Sequence, residues 1–195
     1  MIPSDEELIR GVQKGSESDF KMLYDRYKTP LFNFLYHFLG ERQAAEDCLQ
    51  DVFIRIYKKA HRYQPTSKLS SWLYAMARNA ALDLLRKMKV RRAFSLDAPV
   101  EIESEASLGD LIKSETPDAR SASISRESAE AIHSAIAQLE PADRQVLILC
   151  DIQEMPYKEV GEVLGFSAET IAVKLFRARQ KLAGILKVEG EGPDE

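Results

Sequence analysis

Residues 155–182 read MPYKEVGEVLGFSAETIAVKLFRARQKL, and their spacing sets the architecture of the C-terminal third of the chain. Val160, Val163 and Leu164 recur at three and four, as the inner face of a short helix over 156–164 requires. Gly165 follows where a helix ends on a left-handed residue. Ser167 is an N-cap for a longer helix, 167–187, whose inner face is Ile171, Leu175, Ala178 and Leu182. A helix, a tight turn with glycine and a second helix together predict a helix-turn-helix.

The outer face of the second helix carries Thr170, Lys174, Arg177 and Lys181, at spacings of four, three and four. Donors on that face reach base edges and phosphates in a major groove, and the capped N-terminus beside Ser167 favours a phosphate. Glu169 suits the helix dipole but opposes a phosphate. The competing reading is a helical hairpin with a basic solvated face.

Outward from this motif the same periodicity continues. Segments 126–138 and 141–151, the second with Pro141 in its first turn, complete a four-helix C-terminal unit. Towards the N-terminus, 5–14 is a helix with a capping box from Ser4 and Glu7, ended by Gly15. Ser16 opens a stripe of Phe20, Leu23, Tyr24, Tyr27, Leu31, Leu35 and Phe38; Pro30 is expected to kink or divide it, and Gly40 stops it. A third helix over 43–60 is expected to bury Leu49, Val52, Phe53, Ile56 and Tyr57. After a loop at 61–68, a fourth over 69–90 is expected to bury Trp72, Met76, Ala80 and Leu84. Period-2 alternation is missing, so the expected class is all-α: two small helical domains, 1–92 and 129–188. Between them, 93–128 is rich in Ser, Ala, Glu and Asp and reads as a flexible acidic linker with one short helix near 107–114. Residues 189–195 read as a disordered tail.

Composition narrows the function. The 195-residue chain has a net charge of −4, unevenly spread. Residues 53–92 hold 11 bases against the single acid Asp83, and 170–187 hold five bases and no acid. Two basic stretches in an acidic chain point to two contacts with a polyanion. No apolar run is long enough for a membrane span, and the acidic start MIPSDEELIR is no signal peptide. Cys48 and Cys150 lie far apart, as structural thiols of a reduced cytoplasmic protein do. His37, His61 and His133 show no ligand spacing, so no metal or other cofactor is expected. No nucleophile–base set or Gly-rich phosphate loop supports an enzyme.

The stretch YQPTSKLSSWLYAMARN, 63–79, runs from a polar loop into the most basic helix. Holding a melted strand needs stacking surfaces, a pocket for an extruded base and cations along the backbone. The loop supplies His61, Arg62, Tyr63 and Lys68 with hydroxyls between them, and the helix adds Arg78, Asn79, Arg86 and Lys87. Trp72, with Met76 and Ala80 as its neighbours on the stripe, reads as core scaffold more than as a wedge.

These strings, with AEDCLQDVFIRIYKKA and SSWLYAMARNAALDLLRK, resemble bacterial RNA polymerase sigma factors of the extracytoplasmic-function group, over 16–92 and 130–187. The resemblance implies a subunit that binds core polymerase, recognises two promoter boxes and captures the melted strand. It implies that Asp47, Gln50 and Asp51 face the polymerase clamp, although the same positions also fit a surface pair between Asp51 and Arg55. It places Arg62, Tyr63, Lys68, Arg78, Asn79 and Arg86 at the −10 element. It places Ser167, Thr170, Lys174, Arg177 and Lys181 at the −35 element. Two departures stand out: Ala172 where the group usually has Lys or Arg, and one aromatic, Trp72, where primary sigma factors have two. The resemblance further implies an anti-sigma factor as partner and a linker whose acidic charge imitates nascent RNA. The alternative is an autonomous helix-turn-helix regulator, which leaves 53–92 without a role.

Overall fold

The computed structural model describes residues 3–94 and 119–190, and every regular element in them is helical. The elements are α1 (Asp5–Gln13), α2 (Glu17–Leu39), α3 (Arg42–Lys59), a 3₁₀ turn (Ala60–Arg62), α4 (Leu69–Phe94), α5 (Ala119–Gln138), α6 (Pro141–Leu147), a π turn (Ile148–Ile152), α7 (Tyr157–Leu164) and α8 (Ala168–Gly190). The expected linker helix at 107–114 and the end of the tail, 191–195, lie outside the described residues. Helices α4 and α5 extend into both ends of the segment read as linker.

The N-terminal unit packs α1 to α4 around Leu8, Leu23, Leu31, Phe34, Phe38, Ile56 and Leu73, all fully buried. Its entry is fixed by the expected capping box: Ser4 Oγ accepts from the Glu7 amide at 3.3 Å, and the Glu7 carboxylate accepts from the Ser4 amide at 2.7 Å. Asp5 accepts from Arg26 at 2.5 Å and from the Tyr27 hydroxyl, tying α1 to α2. Helix α2 runs unbroken through Pro30, so the expected division does not occur. The aromatic residues around it, among them Phe34 and Phe38, supply tertiary packing that outweighs the one backbone hydrogen bond proline removes.

Two expected inner faces are rotated in the structure. On α3, Tyr57 is 49% exposed, its ring edge-on to Phe20 at 5.1 Å. On α4 the buried arc is Leu69, Leu73, Tyr74, Ala77, Ala80 and Ala81, whereas Trp72, Met76 and Leu84 are half-buried. A strict i+4 stripe turns about 40° per step in an α-helix. It therefore drifts off the core over several turns. Helix α4 is also packed from two sides, by α2 and α3 and by α7.

In the C-terminal unit, α6, α7 and α8 surround Val146, Ile148, Leu149, Val160, Ile171, Leu175 and Ala178. The two units also pack on each other. Tyr36 of α2 stacks on His133 of α5, centroids 4.3 Å apart. Arg144 of α6 donates to the carbonyl oxygens of Phe38 at 2.7 Å and Leu139 at 2.9 Å, and to that of Ala137. The second unit thus lies across α2 and α4 of the first.

Candidate nucleic-acid interface

The turn between α7 and α8 is built by backbone geometry. Gly165 adopts φ +78°, ψ +35°, a region where a Cβ is strained, and its N–H donates to the Gly161 carbonyl at 2.8 Å. The Phe166 N–H donates to the same oxygen at 3.0 Å. Gly161 is needed for close approach: a Cβ there would sit 2.5 Å from the Phe166 carbonyl oxygen. Ser167 then caps α8, accepting from the Thr170 amide at 3.3 Å, with the Thr170 hydroxyl 3.1 Å away. The helix-turn-helix predicted from spacing is present, with Val160, Val163, Ile171, Leu175 and Ala178 of the expected inner face buried and Leu164 and Leu182 half-buried at its edge.

The outward face of α8 is broader than the basic row. Arg177 is exposed and has no ionic partner among the described residues. The Lys174 ammonium lies over the Phe166 ring, 4.6 Å from its centroid. Lys181 is paired with Asp143 of α6, and Arg179 makes a two-bond contact with Asp151 at 2.6 and 2.9 Å. Sequence reasoning missed two apolar members of this face, Val173 and Phe176, 51% and 62% exposed. With Ile171, Leu175, Ala178 and Leu182 inward, positions 173 and 176 must point away, so the signal was already in the spacing. An exposed Phe on a helix that enters a groove suits a thymine methyl.

The loop before α4 is held from behind. Gln13 of α1 donates to the carbonyls of Ala60 at 3.0 Å and Tyr63 at 3.1 Å. Tyr63 is buried, donates its hydroxyl to the Ser67 carbonyl at 2.9 Å and sits 5.4 Å from the Trp72 ring. Expected as a DNA contact, Tyr63 here shapes the loop, while the half-buried Trp72 keeps one side open. Arg62 is exposed. Lys68 is bonded to Glu159 of α7 at 2.6 Å, which raises its pKa. Arg78 donates through Nε to Gln145 of α6 at 2.5 Å and through Nη1 to Asn79 at 3.2 Å. Burial, then the nearby Arg86, lowers the Arg78 pKa. Arg86 pairs with Asp83 at 2.9 Å.

On α3, Asp47 and Gln50 are exposed together, Asp47 accepting from Gln43 at 3.1 Å. Asp51 pairs with Arg55 at 2.6 Å, as the i,i+4 reading anticipated. Arg55 also reaches Asp83 of α4 at 3.5 Å. Thus Asp51 has a local structural role, and Asp47 with Gln50 forms the freer part of that face.

Comparison with known proteins agrees with this layout. Residues 23–91 match Sigma-70 region 2, and residues 129–182 match Sigma-70, region 4. The chain is 31% identical over 174 residues to the ECF RNA polymerase sigma factor SigW of Bacillus subtilis, covering 89% of this chain and 92% of that protein. The sigma factor RpoE of Bartonella quintana, solved with the anti-sigma factor NepR, superposes with a TM-score of 0.68 at 25% identity, over 87% of this chain and 98% of RpoE. CnrH, solved with the cytosolic domain of CnrY, shares the fold at a TM-score of 0.68 and 21% identity, over 95% of this chain and 99% of CnrH. No helix among the described residues is long and apolar enough to cross a membrane. The region 2 match also gives residues 53–92 a role that an autonomous regulator leaves empty. With two matched regions, a relative aligned over most of both chains and the helix-turn-helix in place, the chain belongs to the extracytoplasmic-function group of bacterial RNA polymerase sigma factors.

Proposed function

We propose that this sigma factor divides its work among three surfaces, and the outward face of α8 carries the argument furthest. That face puts an uncommitted cation, Arg177, beside Lys174, Val173 and Phe176 on a helix capped by Ser167. A cation for guanine or phosphate and apolar groups for thymine methyls suit the −35 duplex. Thr170 lies near the capped end, and Lys181 adds a phosphate contact once released from Asp143. Residues 1–92 form the unit that melts and holds the −10 element, with Arg62, Lys68, Arg78, Asn79 and Arg86 as its polar contacts and Tyr63 as the loop's support. Residues 129–188 form the −35 unit. Asp47 and Gln50, with Asp51 oriented by Arg55, meet a basic helical surface of the polymerase clamp. The protein acts in the cytoplasm, where the polymerase is. An anti-sigma factor covers both units, a reading supported by the RpoE complex at 25% identity.

Run-off transcription tests this. The purified chain alone gives no transcript, and mixing it with core polymerase gives specific products from its promoters. In that assay Arg177→Ala weakens −35 use by about 1–3 kcal/mol, with the loss confined to templates carrying the −35 box. Equal transcription by the variant and the parent chain across such templates would overturn the face assigned to α8.

A further inference from the structure

The cations along α8 are held in different ways. Lys181 and Arg179 are paired with Asp143 and Asp151, and Arg177 is exposed with no ionic partner among the described residues. Lys174 differs from all three. No carboxylate among the described residues pairs with it, yet it is half-buried, and its ammonium lies over the Phe166 ring, 4.6 Å from the centroid. Backbone and Ser167 hydrogen bonds, not Lys174, hold the nearby Glu169 carboxylate below its usual range.

Phe166 itself is 47% exposed and not part of the hydrophobic core, but its backbone is fixed. Its N–H donates to the Gly161 carbonyl at 3.0 Å, and its carbonyl oxygen sits where a Cβ on residue 161 would be 2.5 Å away. Gly165, at φ +78°, sets the direction in which the chain leaves α7. A turn this constrained presents the ring in one place. Lys174 lies seven residues past the Ser167 cap, about 10 Å along the helix axis. Helical side chains lean towards the N-terminus, so the ring before the cap meets the ammonium as it runs back along the row that Thr170 shares. The helix dipole disfavours a cation moved towards that end, and the negative face of the ring offsets this.

We propose that Phe166 is a positioning residue for −35 recognition, its ring holding the Lys174 ammonium for a backbone phosphate and leaving Arg177 to read the bases. This rests on the −35 reading of α8 above. A ring and a carboxylate are different holders. Asp143 and Asp151 cancel the charges they hold, and those cations must leave them before they meet DNA. Phe166 carries no charge, so Lys174 keeps its full field while its side chain is ordered. An ammonium has three donors, and the ring leaves the outward ones free for phosphate oxygens. Ordering before contact removes part of the entropy cost that a mobile lysine incurs on binding. The division between the two cations follows from their shapes. A lysine is a point charge suited to phosphate, whereas the arginine fork matches the two acceptors of guanine.

The test uses holoenzyme assembled from core polymerase and the full chain. The probes are a fluorescein-labelled duplex whose −35 box the parent holoenzyme has selected from random sequence, and a scrambled duplex of the same composition. Lys174→Ala should weaken binding to both and reduce the salt slope by about 1, as the loss of one phosphate contact does. Phe166→Leu should weaken both by about two- to fivefold, and Phe166→Tyr should keep the parent affinity. Once Lys174 is alanine, Phe166→Leu should change nothing further. In the free full chain, the ring should shift the Lys174 ε-methylene protons upfield by NMR in the parent and the tyrosine variant, and not in the leucine variant. A Phe166→Leu loss that persists beside Lys174→Ala, or an unshifted Lys174 methylene in the parent, would overturn the positioning role. A Lys174→Ala loss confined to the selected duplex would overturn the phosphate contact. If neither Lys174→Ala nor Arg177→Ala weakens binding to the selected duplex, the −35 reading has failed and takes this inference with it.

Discussion

The pair of histidines where α2 meets α5 gives a prediction with a definite sign. His37 is half-buried, its Nδ1 is buried with no hydrogen-bond partner among the described residues, and its ring lies 5.3 Å from that of His133. The Nε2 of His133 is also buried without a partner, and Arg144 of α6 acts on it from the other side. Protonation would add a cation to a site where no carboxylate among the described residues is bonded to either ring. Burial first, and then His133, pushes the His37 pKa down to about 4 from the ordinary 6.5. The folded chain therefore takes up this proton less readily than the unfolded chain. The stability tied to neutral His37 is complete above about pH 6.5 and is lost as pH falls towards 4. Linkage between those two values gives a loss of about 2 kcal/mol at pH 5, rising to about 3 kcal/mol at pH 4.

Carboxylates titrate in the same range, so the assay is a difference. Urea unfolding of the parent chain and of His37→Leu is followed from pH 8 to pH 4. The leucine variant, with no proton to take up and no unpaired ring nitrogen, should keep about 2 kcal/mol that the parent loses by pH 5. Parallel stability curves for the two proteins would refute the reasoning. A His37 ring proton that titrates near 6.5 by NMR would do the same.

Other outcomes follow from the turn and the thiols. Gly161→Ala forces a methyl against the Phe166 carbonyl oxygen at 2.5 Å. It should cost about 1–3 kcal/mol in thermal unfolding and reduce promoter binding with it, whereas Gly184→Ala, which meets nothing within 4 Å, should not destabilise the protein. Burial pushes the Cys48 and Cys150 thiols up to about 11, so both should react with a maleimide at neutral pH far more slowly than a free thiol, and Cys48, the more buried, more slowly still. Fast labelling of Cys48 in the folded protein would contradict its burial.

Much of the site could be read along the chain because helices repeat at a fixed period. The caps at Ser4, Ser16 and Ser167, the stops at Gly15, Gly40 and Gly165, and the buried Ile171, Leu175 and Ala178 of α8 are local, and each stands as expected. Errors arose where one face had to be chosen over a long helix. Trp72, Met76 and Leu84 form a plausible stripe, yet the packing of α7 on the far side of α4 made Leu73, Tyr74 and Ala77 the buried set. Tyr63, expected as a DNA contact, is buried in a loop whose anchor, Gln13, comes from a helix about fifty residues away, and no local pattern signals that contact.

Along the chain, capping, periodicity and charge runs already specify an all-helical protein with a helix-turn-helix at its end, because they act over a few neighbouring residues, and its motifs resemble those of sigma factors. Only the tertiary structure decided which cations are free. Arg177 stands open while Lys68, Arg78 and Lys181 are held by Glu159, Gln145 and Asp143. Those partners lie 38 to 91 positions away in the chain. No local pattern encodes such a distance; it is set by how the two helical units pack on one another.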